Sequence, residues 1–139
     1  IYDVLLGRFI PLTLIKYCVV GALGVIIHLA AYVFIEAVSP DLRVAGFSIA
    51  LIGAIEVAIL FNFILNNLWT FAYARLQGVA AAIGFLKYNA ACLFGALANY
   101  AISSYLFTIG WAELLSVVMG GIVGMIWNYT MSRVMTWRS

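Results

Sequence analysis

The chain has 139 residues, 67% of them hydrophobic and 9% charged, with seven Lys/Arg against five Asp/Glu and a mean hydropathy of +1.15. A water-soluble domain carries roughly a quarter charged residues, so the composition leaves no room for a soluble catalytic domain. A nucleic-acid-binding surface, which needs a dense basic patch, is excluded on the same ground.

Taken in chain order, the first segment, residues 1–13, is too short and too polar to span a bilayer. Its Tyr2, Leu5, Leu6 and Phe9 suit an amphipathic lead-in lying at the interface, and a plain linker is the alternative reading. The sequence opens at Ile1 with neither an initiator Met nor a signal-like leader, which predicts a piece of a longer protein. From residue 14 to 139 four apolar runs follow, approximately 14–37, 46–68, 82–107 and 114–134, each close to the ~20 residues a bilayer core requires. The expected fold is an all-α membrane protein of four transmembrane helices, with the Ala72–Leu86 stretch as the middle loop. Cys18 and Cys92 fall inside predicted spans and read as small packing residues rather than a disulfide.

The second half repeats the first. Lys16-Tyr17 and Lys87-Tyr88 each open an apolar run, and an offset of 71 also aligns Gly24 with Gly95 and His28 with Asn99. Later in each half an offset of 66 aligns Asn62-Phe63 with Asn128-Tyr129 and Thr70-Phe71 with Thr136-Trp137. The reading is a tandem duplication of a helix pair, with repeats at about 14–71 and 82–137. Each unit crosses twice, so the copies share one orientation, unlike the inverted repeats of many transporters.

Six of the seven Lys/Arg, namely Arg8, Lys16, Arg75, Lys87, Arg133 and Arg138, flank one side, and only Arg43 sits in an opposite loop beside Glu36 and Asp41. The positive-inside bias predicts a multi-pass plasma-membrane protein with both termini and the middle loop in the cytosol. Tyr17, Trp69, Phe71, Tyr73, Tyr88, Trp127 and Trp137 gather toward that face as an aromatic belt.

Polar residues within spans demand a reason. Glu56 is the one carboxylate deep in a span. Helical rise puts Glu56 roughly 20 Å from Trp69 and His28 roughly 18 Å from Lys16, so the two share a depth. They read either as a hydrogen-bonded clasp, completed by Asn62 and Asn99, or as a proton- or cation-responsive site; Ile122 at the equivalent place in the second half favours the clasp. Asn62 and Asn66 share a helix face, Asn67 is expected on the Glu56 face, and Asn128, Ser132 and Arg133 repeat the positions of Asn62, Asn66 and Asn67. Such amides act as polar glue between helices. Beside guanidinium groups at headgroup depth they also suit a phosphate. The lipid-phosphate candidates are Arg133, Arg138, Asn128, Asn66, Asn67, Arg75 and Lys87. Gly21, Gly24, Gly95, Gly120 and Gly124 permit close helix approach. No catalytic constellation, metal cluster, phosphate loop or cofactor motif is present in the sequence, and no paired carboxylates stand ready to hold a divalent ion.

The run Lys16-Tyr17-Cys18-Val19-Val20-Gly21-Ala22-Leu23-Gly24-Val25, the run Asn62-Phe63 through Asn66-Asn67-Leu68-Trp69-Thr70-Phe71, and the closing Trp127-Asn128-Tyr129 to Thr136-Trp137 resemble the GtrA-like family of four-span membrane proteins. The resemblance covers the chain from Leu14 onward. Where the family commonly has Asn-Arg, this chain has Asn66-Asn67 and Ser132-Arg133. Glu56 and the lead-in before Lys16 resemble the fused form, which follows an N-terminal family 2 glycosyltransferase domain of the dolichol-phosphate mannosyltransferase type. The resemblance implies a non-catalytic domain that anchors a glycosyltransferase, in cis or in trans, and binds or presents polyprenyl (dolichyl) phosphate in lipid-linked sugar and polysaccharide synthesis. It leaves two alternatives: a flippase or transporter of the lipid-linked sugar, and a purely structural anchor. Membrane lipid is the expected partner, nucleic acid is not, and a homo-oligomer is left open.

Overall fold

In a computed structural model the described residues are 11–45 and 47–138, without the Phe47 side chain; of the lead-in expected over residues 1–13, residues 1–10 lie outside them and residues 11–13 run into the first helix. Helix α1 (Leu12–Val38) starts behind Pro11, whose extended backbone (φ −62°, ψ 139°) sets the entry while its carbonyl accepts from Leu14 N at 2.9 Å. Pro40 cannot continue the helix and holds Ser39 out of the helical region, so α1 ends there. A two-residue ladder follows, β1 (Arg43–Val44) antiparallel to β2 (Phe47–Ser48), with Ala45 at φ +50° in its turn. Ser48 then caps α2 (Ile49–Leu65), its Oγ accepting from Leu51 N at 3.3 Å. This ladder and cap take the residues that the apolar run had assigned to the start of the second span.

Helix α2 widens into a π-turn at Asn66–Thr70, closed by Phe71 N donating to Asn66 O at 2.8 Å. Helix α3 (Gly78–Thr108) begins at a glycine with φ +54°. It starts earlier than expected, so residues 78–86 are helix and only the short stretch before them is loop. The physical reason is Val79-Ala80-Ala81-Ala82-Ile83, which carries no breaker and is rich in the best helix former. Lys87-Tyr88 consequently lies well inside α3 instead of opening it. Gly110 (φ +95°) ends α3 in a Schellman arrangement, with Gly110 N donating to Phe107 O at 3.1 Å and Trp111 N to Leu106 O at 3.0 Å. Helix α4 (Glu113–Met131) opens with a carboxylate in its first turn, where the helix dipole favours it, and widens into a second π-turn at Ser132–Thr136.

All four helices, with the π-turns extending α2 and α4, are long and apolar enough to cross a membrane. The protein is thus an all-α membrane fold apart from the two-residue ladder. The helices fall into two compact units, residues 1–75 and residues 76–139, each an antiparallel helix pair. In the first unit the buried stripe is Tyr17, Val20 and Gly24 on α1 with Ala50, Ala54 and Ala58 on α2. In the second it is Gly84, Tyr88, Ala91 and Gly95 on α3 with Ser116, Gly120 and Gly124 on α4. Small residues at every fourth position of α2 and α4, facing Gly24 on α1 and Gly95 on α3, let the backbones approach, which is how helices associate when the solvent is itself apolar. Large side chains such as Ile26, Val33 and Phe34 point outward, a surface suited to acyl chains rather than water.

Candidate functional site

The polar chemistry of each unit concentrates at its π-turn. A π-turn inserts one residue into the helical ladder and frequently marks a functional position. In the first unit Asn66 is 1% exposed and its Oδ1 accepts from Thr70 Oγ1 at 2.7 Å, so the turn closes upon itself. The Tyr17 and Phe71 rings meet edge-on at 6.3 Å, and Lys16 Nζ lies 5.4 Å from the centre of the Trp69 ring, a cation–π distance. Asn67 is buried and Arg75 is exposed.

Deeper in this unit Asn62 packs its amide against Gly24, where any Cβ would overlap it. Its Oδ1 is buried without a conventional hydrogen-bond partner and faces the Gly24 backbone, a site for a weak Cα–H···O contact. His28, half-buried, lines with Asn62 a groove of about 230 Å³. Glu56 is exposed and does not line that groove, and Asn67, expected on its face, is buried instead. The π-turn accounts for part of this, because residues beyond Leu65 lag behind an α-helical extrapolation.

The second unit also packs an asparagine against a glycine and ends in a π-turn. Asn128 packs against Gly95, its Oδ1 again without a conventional partner. Asn99 accepts from Ser103 Oγ at 3.1 Å within α3 and abuts Gly120. Tyr88 and Trp137 meet edge-on at 5.5 Å. At the π-turn, however, Ser132 stands where the first unit has Asn66, and the buried Thr136 hydroxyl has no hydrogen-bond partner.

Thr136 lines a cleft of about 500 Å³ together with Lys87, Val134, Met135 and Arg138. Neither cation forms an ion pair among the described residues. The unit's sole carboxylate, Glu113, begins α4 roughly 30 Å away along the helix. Lys87 and Met135 also line a second hollow of about 380 Å³, otherwise walled by Ala90, Ala91, Phe94, Trp127 and Met131. The Phe94 and Trp127 rings stand 6.5 Å apart along this groove. Lys87 and Met135 are common to both linings, and no carboxylate lines either among the described residues; an apolar groove beside a cationic cleft can hold an amphiphile with an anionic head.

Of the sequence candidates, Lys87 and Arg138 come together in the cleft. Arg133 is exposed on the π-turn outside both hollows, and Asn128 sits deeper against Gly95. Asn66, Asn67 and Arg75 belong to the first unit. Sequence reasoning missed Thr136, Met131 and Met135. Thr136 was visible as part of the closing Thr136-Trp137 pair, but its missing partner could be seen only in three dimensions. Among the described residues no group of three His, Cys, Asp or Glu could hold a metal ion, and Cys18 and Cys92 are half-buried and in no disulfide.

Comparison with known proteins agrees with this architecture. Over 125 residues the chain is 28% identical to a dolichol-phosphate mannosyltransferase of Pyrococcus furiosus, covering 89% of this chain. The aligned part is 33% of that relative, so the chain spans about a third of its length. The model of the GtrA/DPMS transmembrane domain matches residues 16–137, nearly all of the described chain, and the chain belongs to the GtrA/DPMS transmembrane-domain family.

Proposed function

We propose that this chain is the membrane part of a glycan-synthesis system, where it anchors a glycosyltransferase, in cis or in trans, and holds polyprenyl (dolichyl) phosphate for it. The observation that carries the reading is the apolar groove of the second unit, which shares Lys87 and Met135 with the cleft that Arg138 also lines. A prenyl chain fits the Ala, Met and aromatic walls, and a phosphate monoester fits two cations in a cleft that no carboxylate lines among the described residues. The related mannosyltransferase, named for a dolichol-phosphate reaction, supports the substrate class.

The same reading takes the two units as a parallel duplication. Buried positions 17, 20 and 24 recur at 88, 91 and 95, and 50, 54 and 58 recur at 116, 120 and 124, at the two offsets seen in the sequence. The Lys/Arg bias supports a plasma-membrane protein with both termini cytosolic, which puts the cleft at the cytosolic headgroup layer. A flippase is the second reading, favoured by His28 and Asn62 sharing a mid-span groove. The test is native mass spectrometry of the chain in detergent with farnesyl phosphate, farnesol and a zwitterionic phospholipid of similar chain volume. We expect retention of farnesyl phosphate well above the other two. Equal retention of all three would leave a structural anchor.

A further inference from the structure

The two π-turns occupy corresponding places, yet they differ in one bond. In the first, the Thr70 hydroxyl is spent on Asn66 Oδ1 at 2.7 Å, and the nearby Lys16 ammonium lies over Trp69. In the second, Ser132 is too short to supply that oxygen, and the equivalent Thr136 hydroxyl has no partner although Thr136 is only 6% exposed. Met135 stands where the first unit has Trp69, so no indole faces Lys87 from that position. Thr136 lines the cleft that Lys87 and Arg138 also line. A buried hydroxyl left unbonded is costly and in native proteins calls for an explanation; an anionic oxygen in the cleft would supply the bond.

We infer that the units have diverged in role: the phosphate monoester is bound by the second unit alone, with Thr136 Oγ1 donating to a phosphate oxygen while Lys87 and Arg138 neutralise its charge. The inference rests on the lipid-phosphate reading above and adds the residue that fixes the headgroup and the unit that does the work. The first π-turn is a closed structural copy, its hydroxyl and its cation already engaged. Donation from a hydroxyl to an anion is charge-assisted, hence stronger than the Thr70–Asn66 bond that it replaces in the second copy.

The test is a binding titration on the full chain in detergent, with farnesyl phosphate, inorganic phosphate and farnesol as separate arms. Thr136→Val removes the hydroxyl at nearly constant shape and should weaken farnesyl phosphate about ten-fold or more, the usual worth of a hydrogen bond to a charged group. Thr70→Val should leave that affinity unchanged. Ser132→Asn should supply to Thr136 the oxygen that Asn66 supplies to Thr70, and weaken binding as Thr136→Val does. If Ser132→Asn fails to fold, the Thr136→Val and Thr70→Val pair decides. Saturable binding of inorganic phosphate at matched affinity would identify a free-anion site and overturn the headgroup assignment. Unchanged affinity in Thr136→Val, with wild-type binding intact, overturns this inference and leaves the lipid-phosphate reading standing. No binding of farnesyl phosphate to the wild type overturns both.

Discussion

Gly124→Ala is the sharpest probe of how the second unit is held together. A Cβ built at Gly124 would lie 2.8 Å from the carbonyl oxygen of Gly95 and 3.2 Å from Asn99 Cβ. Carbon–oxygen contacts between packed helices settle near ~3.3–3.6 Å, so the methyl overlaps a carbonyl by roughly half an ångström. That oxygen belongs to a helix backbone and cannot rotate aside, so α3 and α4 must separate. Overpacking of this kind costs ~1–3 kcal/mol, against which alanine returns at most ~1 kcal/mol of helix propensity. The neighbouring Gly121 faces open space, with nothing within 4 Å of a built Cβ. Gly121→Ala should therefore be stabilising by up to ~1 kcal/mol, leaving the two variants about 2 kcal/mol apart. Thermal melts in one detergent, followed by circular dichroism, measure the difference. Equal shifts for both substitutions would refute the close α3–α4 contact.

The two threonines should differ in stability as they do in binding: Thr70→Val breaks a buried bond and should cost ~1–3 kcal/mol, whereas Thr136→Val removes an unbonded hydroxyl and should be neutral or stabilising in the same melt. Topology is checked by accessibility labelling of cysteines at the exposed positions Gln77 and Pro40 in a background without Cys18 and Cys92. Gln77 should label only from the cytosolic side and Pro40 only from outside; the reverse would remove the cytosolic headgroup site. Glu56→Gln should leave both the melt and lipid-phosphate binding unchanged, and the loss of a proton-driven lipid flux in this variant would favour the flippase reading instead.

The four spans were legible because lipid-facing helices need long apolar runs, and the close-packing positions because tight approach restricts Gly24, Gly95, Gly120 and Gly124 to the smallest residue. Helix ends were less legible. Nothing in an apolar run marks where Ser48 caps α2, and the residues before Lys87 are apolar whether they form loop or helix. Depth matching placed His28 near Glu56, but depth carries no information on facing, and His28 lines a groove with Asn62 while Glu56 is exposed. In the candidate site, charge picked out Lys87 and Arg138. It also picked out Arg133, which is exposed on the π-turn and lines neither hollow. Thr136 escaped notice because a threonine is ordinary until its missing partner is seen.

The central claim is that a phosphate-headed prenyl chain lies along the second unit, and photo-crosslinking addresses it directly. A farnesyl phosphate analogue with a diazirine in its chain, irradiated with the protein in lipid nanodiscs and mapped by peptide mass spectrometry, should label Phe94, Trp127, Met131 and Met135, which line the groove below Lys87. Excess unlabelled farnesyl phosphate should compete the adducts away, and farnesol should not. Adducts spread evenly over outward residues of both units, such as Ile26, Phe34 and Leu97, and indifferent to competitor, would contradict the account.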